Sequence, residues 1–375
     1  MRELFSVLSE QVTVSSELGV MREALVSRTG GCGLRVVDGN RAGFAFASSP
    51  KLLPKDISPT GDFYGFGRDG RAVFNDRRGV SCDDLVEKVR GMISELDGVS
   101  ANFAGADFSR TKASIRNPYE SLTETICQIS ADAFVSTPTS VGLGYAASRK
   151  KIDFLKAARQ AKEMALASED PGKPKTGRMG VTLRPYAAGS FVDFLTDALS
   201  GREVIAGRSP LAGKLGQFVS NLRMVDDPLM KEGTESRGFD DEGVKSRRKV
   251  LIDGELIQYL HTIETAKRLG GIPGNATRGY SSLPVPGESN ITVSGKRGEE
   301  AGLVVEWVSG AHTIAPSGEF AVEAKNAYQD GKPVANLMVC GNVFEMIKDV
   351  ELCGKLENLG GLFTRSWTVE LDVVA

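Results

Sequence analysis

The sequence predicts an α+β fold, and three features point there. Asp-Gly pairs separate strand-like runs, two segments carry helical spacing, and no βαβ alternation links them. The chain has 375 residues, 41% hydrophobic and 25% charged. That is enough for two cores of roughly 100 to 200 residues each. The break between them is placed at Ser168–Gly177, SEDPGKPKTG, where Pro, Gly and charge gather after a helical pattern. An N-terminal α+β domain over 1–170 and a β-rich C-terminal domain over 178–375 are expected.

In order along the chain, GLRVVDGNRAGFAFA sets Asp38-Gly39 between two strand-like runs and reads as a hairpin with a type I′ turn. Ser81 then precedes DDLVEKVRGMISEL, where Leu85, Val89, Met92 and Leu96 share a helical face and the acids sit in the first turn. NPYESLTETICQISADAF looks partly helical on its own residues. Ile152–Ala167 is a helix, with Phe154, Leu155, Ala158, Ala161 and Ala165 at helical spacing. Asp253-Gly254, between KVLI and ELIQYL, and Asp330-Gly331, between EFAVEAKNAYQ and PVANLMVC, predict two further hairpins. Trp367, Val369, Leu371 and Val373 alternate, so the chain is expected to end as a strand.

Composition removes several classes of function. A net charge of −2 and a pI near 6.0 disfavour a polyanionic partner such as nucleic acid. The first residues lack a charged leader and apolar block, and no apolar run approaches the ~20 residues of a membrane span, so a soluble, cytoplasmic protein without membrane contact is expected. The five cysteines, an odd number without a CxxC pair, indicate neither a disulfide framework nor a zinc ribbon. With only His261 and His312, a His-rich metal site is barred. His312, in GAHTIAPSGEF, reads as a structural histidine, and nothing local marks a cysteine nucleophile.

Two short motifs invite a ligand reading. GGCG at Gly30–Gly33 lacks the Lys of a phosphate loop and leads into a strand, so it reads as a loop before the first hairpin. In GFDDEGV, Asp240, Asp241 and Glu242 are consecutive, and at most two can point the same way in extended chain. A turn whose acids pair with Arg247 or Arg248 is favoured over a cation site.

The succession RSPLAGKLGQ, VDDP, GFDDEGV, KVLIDGELIQYL, TAKRLG, GNATRGY, SGEFAVEA, DGKPV and GNVFEMIKDV closely resembles the C-terminal half of the TldD/PmbA family, the so-called modulators of DNA gyrase. GLRVVDGNRAGFAFAS and the PKTG linker extend the resemblance, more loosely, over nearly the whole chain. It implies an N-terminal α/β sandwich-like domain and a C-terminal hairpin-rich, barrel-like β domain around a central helix, and it implies strands in NPYESLTETICQISADAF. TldD-type members carry HExxxH on a helix plus a Cys nearer the C-terminus and are metallopeptidases, whereas TldE-type members lack the motif and pair with TldD. Counting back from GRSPLAGKLG, HExxxH falls on VDFLTD, with Val192, Asp193 and Asp197 at the His, Glu and His positions. GKLENLGGLFTRSW, where the ligating Cys would lie, contains none, and Cys353 sits earlier. Phe191, Phe194, Leu195 and Ala198 share one face of the helix, and Asp193, Asp197 and Ser200 the other. The resemblance thus implies a zinc-free TldE/PmbA-type subunit without cofactor or catalytic residue. It would join a TldD-type metallopeptidase subunit, as a dimer or higher oligomer, on unfolded or leader peptides. Asp240, Asp241, Glu242, Asn275 and Arg278 are the candidate contacts to peptide substrate or partner. A self-sufficient peptidase of other mechanism and a non-proteolytic regulator of DNA gyrase are the alternatives.

Overall fold

A computed structural model describes residues 1–99, 101–311 and 316–375; His312 lies outside them. The first half builds one antiparallel sheet, ordered β4-β3-β2-β1-β5-β6-β7. Its strands are β1 (Arg2–Glu17), β2 (Val20–Asp38), β3 (Arg41–Ala47), β4 (Gly61–Asp62), β5 (Ala101–Arg116), β6 (Ser121–Ser136) and β7 (Val141–Ser148). Helices α1 (Cys82–Glu95) and α2 (Phe154–Ala167) cover one face. Ser81 and Asp84 form a reciprocal capping box at the start of α1, which buries Leu85, Val89 and Met92 against Val12, Val14 and Phe108. Asp153 caps α2 through Leu155 N and Lys156 N. The alanine face of α2 lets it lie almost on the backbone of β7: a Cβ on Gly144 would stand 1.8 Å from Ala157 O, and one on Gly142 1.9 Å from Ala161 O.

The second half adds β8 (Gly177–Leu183), α3 (Pro185–Ala198), α4 (Gly201–Ile205), β9 (Phe218–Asp226), β10 (Lys249–Leu256), α5 (Ile263–Leu269), the short pair β11 (Ala276–Thr277) and β12 (Val285–Pro286), β13 (Ile291–Gly295) and β14 (Leu303–Ser309). Then follow β15 (Glu319–Gln329), β16 (Lys332–Val334), β17 (Leu337–Asn342), α6 (Val343–Met346), β18 (Glu351–Asn358) and β19 (Leu362–Val374). Because β8 pairs with both β14 and β19, the strands β8-β14-β15-β17-β19 close into a five-stranded barrel-like ring. Closure leaves these strands no open edge over the paired residues. The apolar face of α3 packs on this ring: Phe191 meets Phe320 with ring centroids 4.9 Å apart, and Phe191, Leu195 and Trp367 are fully buried. The mixed α+β class is as expected.

Local expectations fare unevenly. NPYESLTETICQISADAF is strand β6 after a turn, as the resemblance implies and against its own helical look. Trp367, Val369, Leu371 and Val373 are buried in the terminal strand β19. At Asp330-Gly331 both residues take positive φ, 50° and 77°, and the hairpin β15–β16 forms. The first hairpin also forms, but Asp38 pairs with Arg41, so its central residues are Gly39-Asn40. Asp253-Gly254 makes no hairpin. Only Gly254 has positive φ, 72°, and it shifts the register of β10 against β9, so a bulge stands where a turn was expected. Gly30–Gly33 lies inside β2 rather than in a loop. The missing side chain there admits the Tyr280 segment, since a Cβ on Gly31 would stand 2.4 Å from the Tyr280 ring.

His261 is enclosed where the chain enters α5. It is 2% exposed, its Nδ1 lies 3.1 Å from Thr265 Oγ1, and Thr262 caps the helix. Burial, helped by the charge of Lys249, holds its pKa down to about 4.

Two predictions follow from this packing. Gly144→Ala drives a methyl group into the backbone of α2 and should cost about 1–3 kcal/mol in urea unfolding. Gly79→Ala, with nothing within 4 Å, should stay within about 0.5 kcal/mol. His261 binds its proton less readily folded than unfolded. Stability is therefore fully present above pH ~6.5 and should fall by up to about 3 kcal/mol as pH drops from there toward the folded value near 4. Comparing unfolding free energies of the wild type and His261→Gln over that window should show a shallower acid limb in the variant.

Candidate functional site

The GFDDEG segment is a turn, and the structure buries it. Asp240 and Glu242 are 0% and 4% exposed. Consecutive carboxylates point apart, so each finds a separate set of donors. Asp240 accepts from Glu242 N, Val244 N and Ala276 N at 2.9–3.0 Å. Asp241 accepts from Arg278 N at 2.8 Å and faces Arg237 at 3.9 Å. Glu242 accepts from Ile263 N at 2.7 Å, at the start of α5, and faces Arg35 at 3.6 Å. Their ionic partners are Arg35 and Arg237, in place of the expected Arg247 and Arg248. Arg248 instead faces Asp227 at 3.7 Å. Desolvation raises the pKa of all three carboxyls, and for Glu242 the charge of Asp240 adds to it.

Asn275 and Arg278 belong to the same network. Asn275 donates to Asp226 at 2.7 Å and accepts from the Lys249 ammonium, which also reaches Ile272 O and Pro273 O. Burial brings the Lys249 pKa down to about 8. Arg278 donates to Glu3 at 2.9 Å, and Glu3 takes a bidentate pair from Arg35, both bonds 2.8 Å. Arg278 also stacks on Phe5, 4.3 Å from the ring centroid. So the structure does bring Asp240, Asp241, Glu242, Asn275 and Arg278 together, but inside the protein, between β1–β2 and the loops around α5. Sequence reasoning missed Glu3, Arg35, Asp226 and Lys249. The available signal was a charge at an inward position of a strand, as Glu3 and Arg35 are in β1 and β2.

The positions corresponding to HExxxH lie on α3 beside a cavity of about 690 Å³. Asp193 and Asp197 line it, one turn apart, together with Phe194 and residues of α4 and β12. Both carboxylates are exposed, and neither has a side-chain partner among the described residues. Partial desolvation raises both pKa values. Asp197 adds to the rise at Asp193, and Glu203 to that at Asp197. Val192 points the other way, 2% exposed, into the core shared with Leu195 and Phe191. Ser200, expected on the polar face, is 8% exposed and stands at the N-cap position of α4 without a side-chain capping bond.

Catalytic zinc needs three protein donors and an open position. The residues here do not fit it. Val192 has no ligand atom and faces away. The segment where a cysteine would be needed passes α3 through Leu362, whose side chain would lie 3.2 Å from a Cβ on Gly189, and it contains no cysteine. Cys353 is buried on β18 against Thr368, 3.5 Å from its hydroxyl. Among the described residues no three His, Cys, Asp or Glu side chains are placed to hold a metal ion. Among the described residues no helix is long and apolar enough to cross a membrane.

Comparison with known proteins meets this geometry. Residues 176–369 match the model of the PmbA/TldA metallopeptidase C-terminal domain, and residues 3–57 that of PmbA/TldA metallopeptidase domain 1. An uncharacterised protein of Methanocaldococcus jannaschii is 32% identical over 54% of this chain, and the chain spans about half of that relative, 52%. A metalloprotease of Methanothermobacter thermautotrophicus is 26% identical over 91% of this chain and 85% of its own. TldE from Thermococcus kodakarensis superposes with a TM-score of 0.82, covering 100% of this chain and 96% of that one; at 21% identity this is a likeness of fold. With the C-terminal match alone spanning over half of its residues, the chain belongs to the TldD/PmbA family of metallopeptidases.

Proposed function

We propose that this chain is a zinc-free subunit of TldE/PmbA type, which acts with a TldD-type metallopeptidase chain in the proteolysis of unfolded or leader peptides. The observation that carries the reading is Val192. The position that would hold the first zinc-binding imidazole is an apolar side chain turned into the core, so α3 is stabilised by packing instead of by a metal. The cavity beside it remains, with Asp193 and Asp197 on its wall. On this reading it is a wall of a chamber completed by the partner, which supplies the zinc. On the same reading the buried network of Asp240, Asp241, Glu242, Asn275 and Arg278 holds the domains over 1–170 and 178–375 in register behind that wall.

The purified chain should carry no stoichiometric zinc and should not cleave unstructured peptides. Co-expressed with an HExxxH-bearing relative from the same genome, it should co-purify through an interface of at least ~1,000 Å². Cleavage should appear with the pair, alongside one zinc per pair. A tightly held zinc in the isolated chain, or peptide hydrolysis by it, would overturn the proposal.

Restoring the helix motif alone should not create a peptidase. Val192→His, Asp193→Glu and Asp197→His would give zinc two imidazoles, one of them forced to leave a packed core site at a cost of about 1–3 kcal/mol. No cysteine stands opposite. The triple variant, folded and zinc-loaded, should stay well below a turnover on the order of 1 per second. Adding a cysteine between Gly360 and Arg365 should change activity more than any further change on the helix. Enzyme-like turnover by the triple variant would show that the third donor lies elsewhere.

A further inference from the structure

A second cavity, about 850 Å³, lies where the end of β7 and the start of α2 meet the loop at Lys231 and the end of β18. Six cations line it: Arg78, Arg149, Lys150, Lys151, Lys156 and Lys231. The lining acids are Asp76, Asp153 and Glu232. That leaves three positive charges in excess on a chain whose net charge is −2.

The acids are also largely committed. Asp76 serves two guanidinium groups, Arg149 at 2.8 Å and Arg78 at 3.4 Å, so one carboxylate answers two cations. Asp153 caps α2 and faces Arg159 at 3.0 Å, and Glu232 faces Lys150 at 3.6 Å. Beneath the cleft Glu124 accepts from Val73 N, Phe74 N and Gly238 N, and burial raises its pKa, which weakens it as a counter-charge. Lys151, Lys156 and Lys231 are exposed and have no carboxylate partner among the described residues. The floor is fixed. Arg149, with a side chain 5% exposed, stacks on Phe74 with its guanidinium 3.8 Å from the ring centroid, and its Nε is buried without an acceptor.

We infer that this cleft binds an acidic segment of unfolded polypeptide. The ligand must be anionic, because unneutralised cations in a cleft with low-dielectric walls raise the local concentration of anions. It is extended, because the cations are distributed over three separate stretches of chain. It is not a compact phosphate, since the first free N–H groups of α2 are already taken by Asp153. A nucleic-acid backbone carries a charge at every nucleotide, more than three unpartnered lysines can answer. A peptide with spaced Glu or Asp side chains can place each charge beside a lysine and rest its apolar parts on Phe74 and Tyr145.

Binding requires this chain alone, so its test is independent of the partner reading above. Fluorescence anisotropy should be recorded with a labelled peptide repeating Glu-Gly-Ser, with its Gln and Lys counterparts, and with a thymidylate oligonucleotide. Only the acidic peptide should bind well, and its affinity should fall roughly tenfold between low and physiological salt. Lys151→Gln, Lys156→Gln and Lys231→Gln together should weaken it by roughly tenfold or more. The same charge change at exposed lysines outside the cleft, Lys51→Gln, Lys55→Gln and Lys112→Gln, should leave most of the affinity. The three cleft lysines changed to Glu should turn preference toward the Lys peptide. Equal binding of the acidic and Gln peptides, equal loss in the two Gln triples, or tighter binding of the oligonucleotide would overturn the inference. Thermal unfolding of each variant confirms that it is folded.

Discussion

The constraint on which the rest of the structure depends is a buried chain of charge, Glu242–Arg35–Glu3–Arg278. Glu3 is the second residue of β1, whereas Arg278 and Glu242 come from loops far along the sequence. Burying four charges is costly, and the attraction offsets that only when every member is paired. Here Glu3 holds two guanidinium groups, Arg35 reaches two carboxylates, and the Glu242 carboxylate also accepts the first N–H of α5. Moving the first sheet against the C-terminal loops would therefore leave an uncompensated charge in a dry environment. That penalty is of order 3–5 kcal/mol for one lost partner, which fixes one arrangement of the two halves more sharply than apolar contact would.

This assigns the acidic triplet a structural role. A metal site needs oxygens converging on one point, and in GFDDEG consecutive residues diverge. Asp240 folds back on its own turn, Asp241 turns to the Arg278 backbone, and Glu242 reaches α5 and Arg35. The Asp226–Asn275–Lys249 cluster continues the same logic on the other side of the loop. Polar side chains that read as a contact surface in sequence are here the mortar between elements.

Much of the fold was legible where a local rule decides the outcome. The capping residue Ser81, the four apolar positions of α1, the Asp330-Gly331 turn and the alternation of β19 are all settled by nearest neighbours. The failures share a cause. Asp253-Gly254 has the composition of a turn, yet β10 pairs with β9 on both sides of it and stays extended, so tertiary pairing converts the glycine into a bulge. At Gly30–Gly33 the glycines serve a distant residue, Tyr280, which no local pattern announces. The site was legible in part: the sequence placed an apolar side at Val192 and a polar one at Asp193 and Asp197. It could not supply Glu3 and Arg35, whose partners beyond each other, Arg278 and Glu242, lie more than two hundred residues away.

The energetics of α3 show that packing alone can hold this helix in place. In a metal-bound helix part of the anchoring comes from coordination, and removing donors would release it. Here Phe191, Val192 and Leu195 are all buried, and Phe194 adds a tilted ring contact to Phe344 with centroids 5.7 Å apart. Apolar burial of that kind contributes roughly 1.5–3 kcal/mol per large side chain, independent of any ion. The opposite face keeps Asp193 and Asp197 as an i, i+4 pair of like charge, which costs a few tenths of a kcal/mol (about 0.2–0.5). The nearby arginine Arg208 does not relieve them, because it is held by Glu203 through two bonds of 2.7 Å. Packing thus secures the helix with a wide margin over that repulsion, and the cavity wall it presents stays acidic and open.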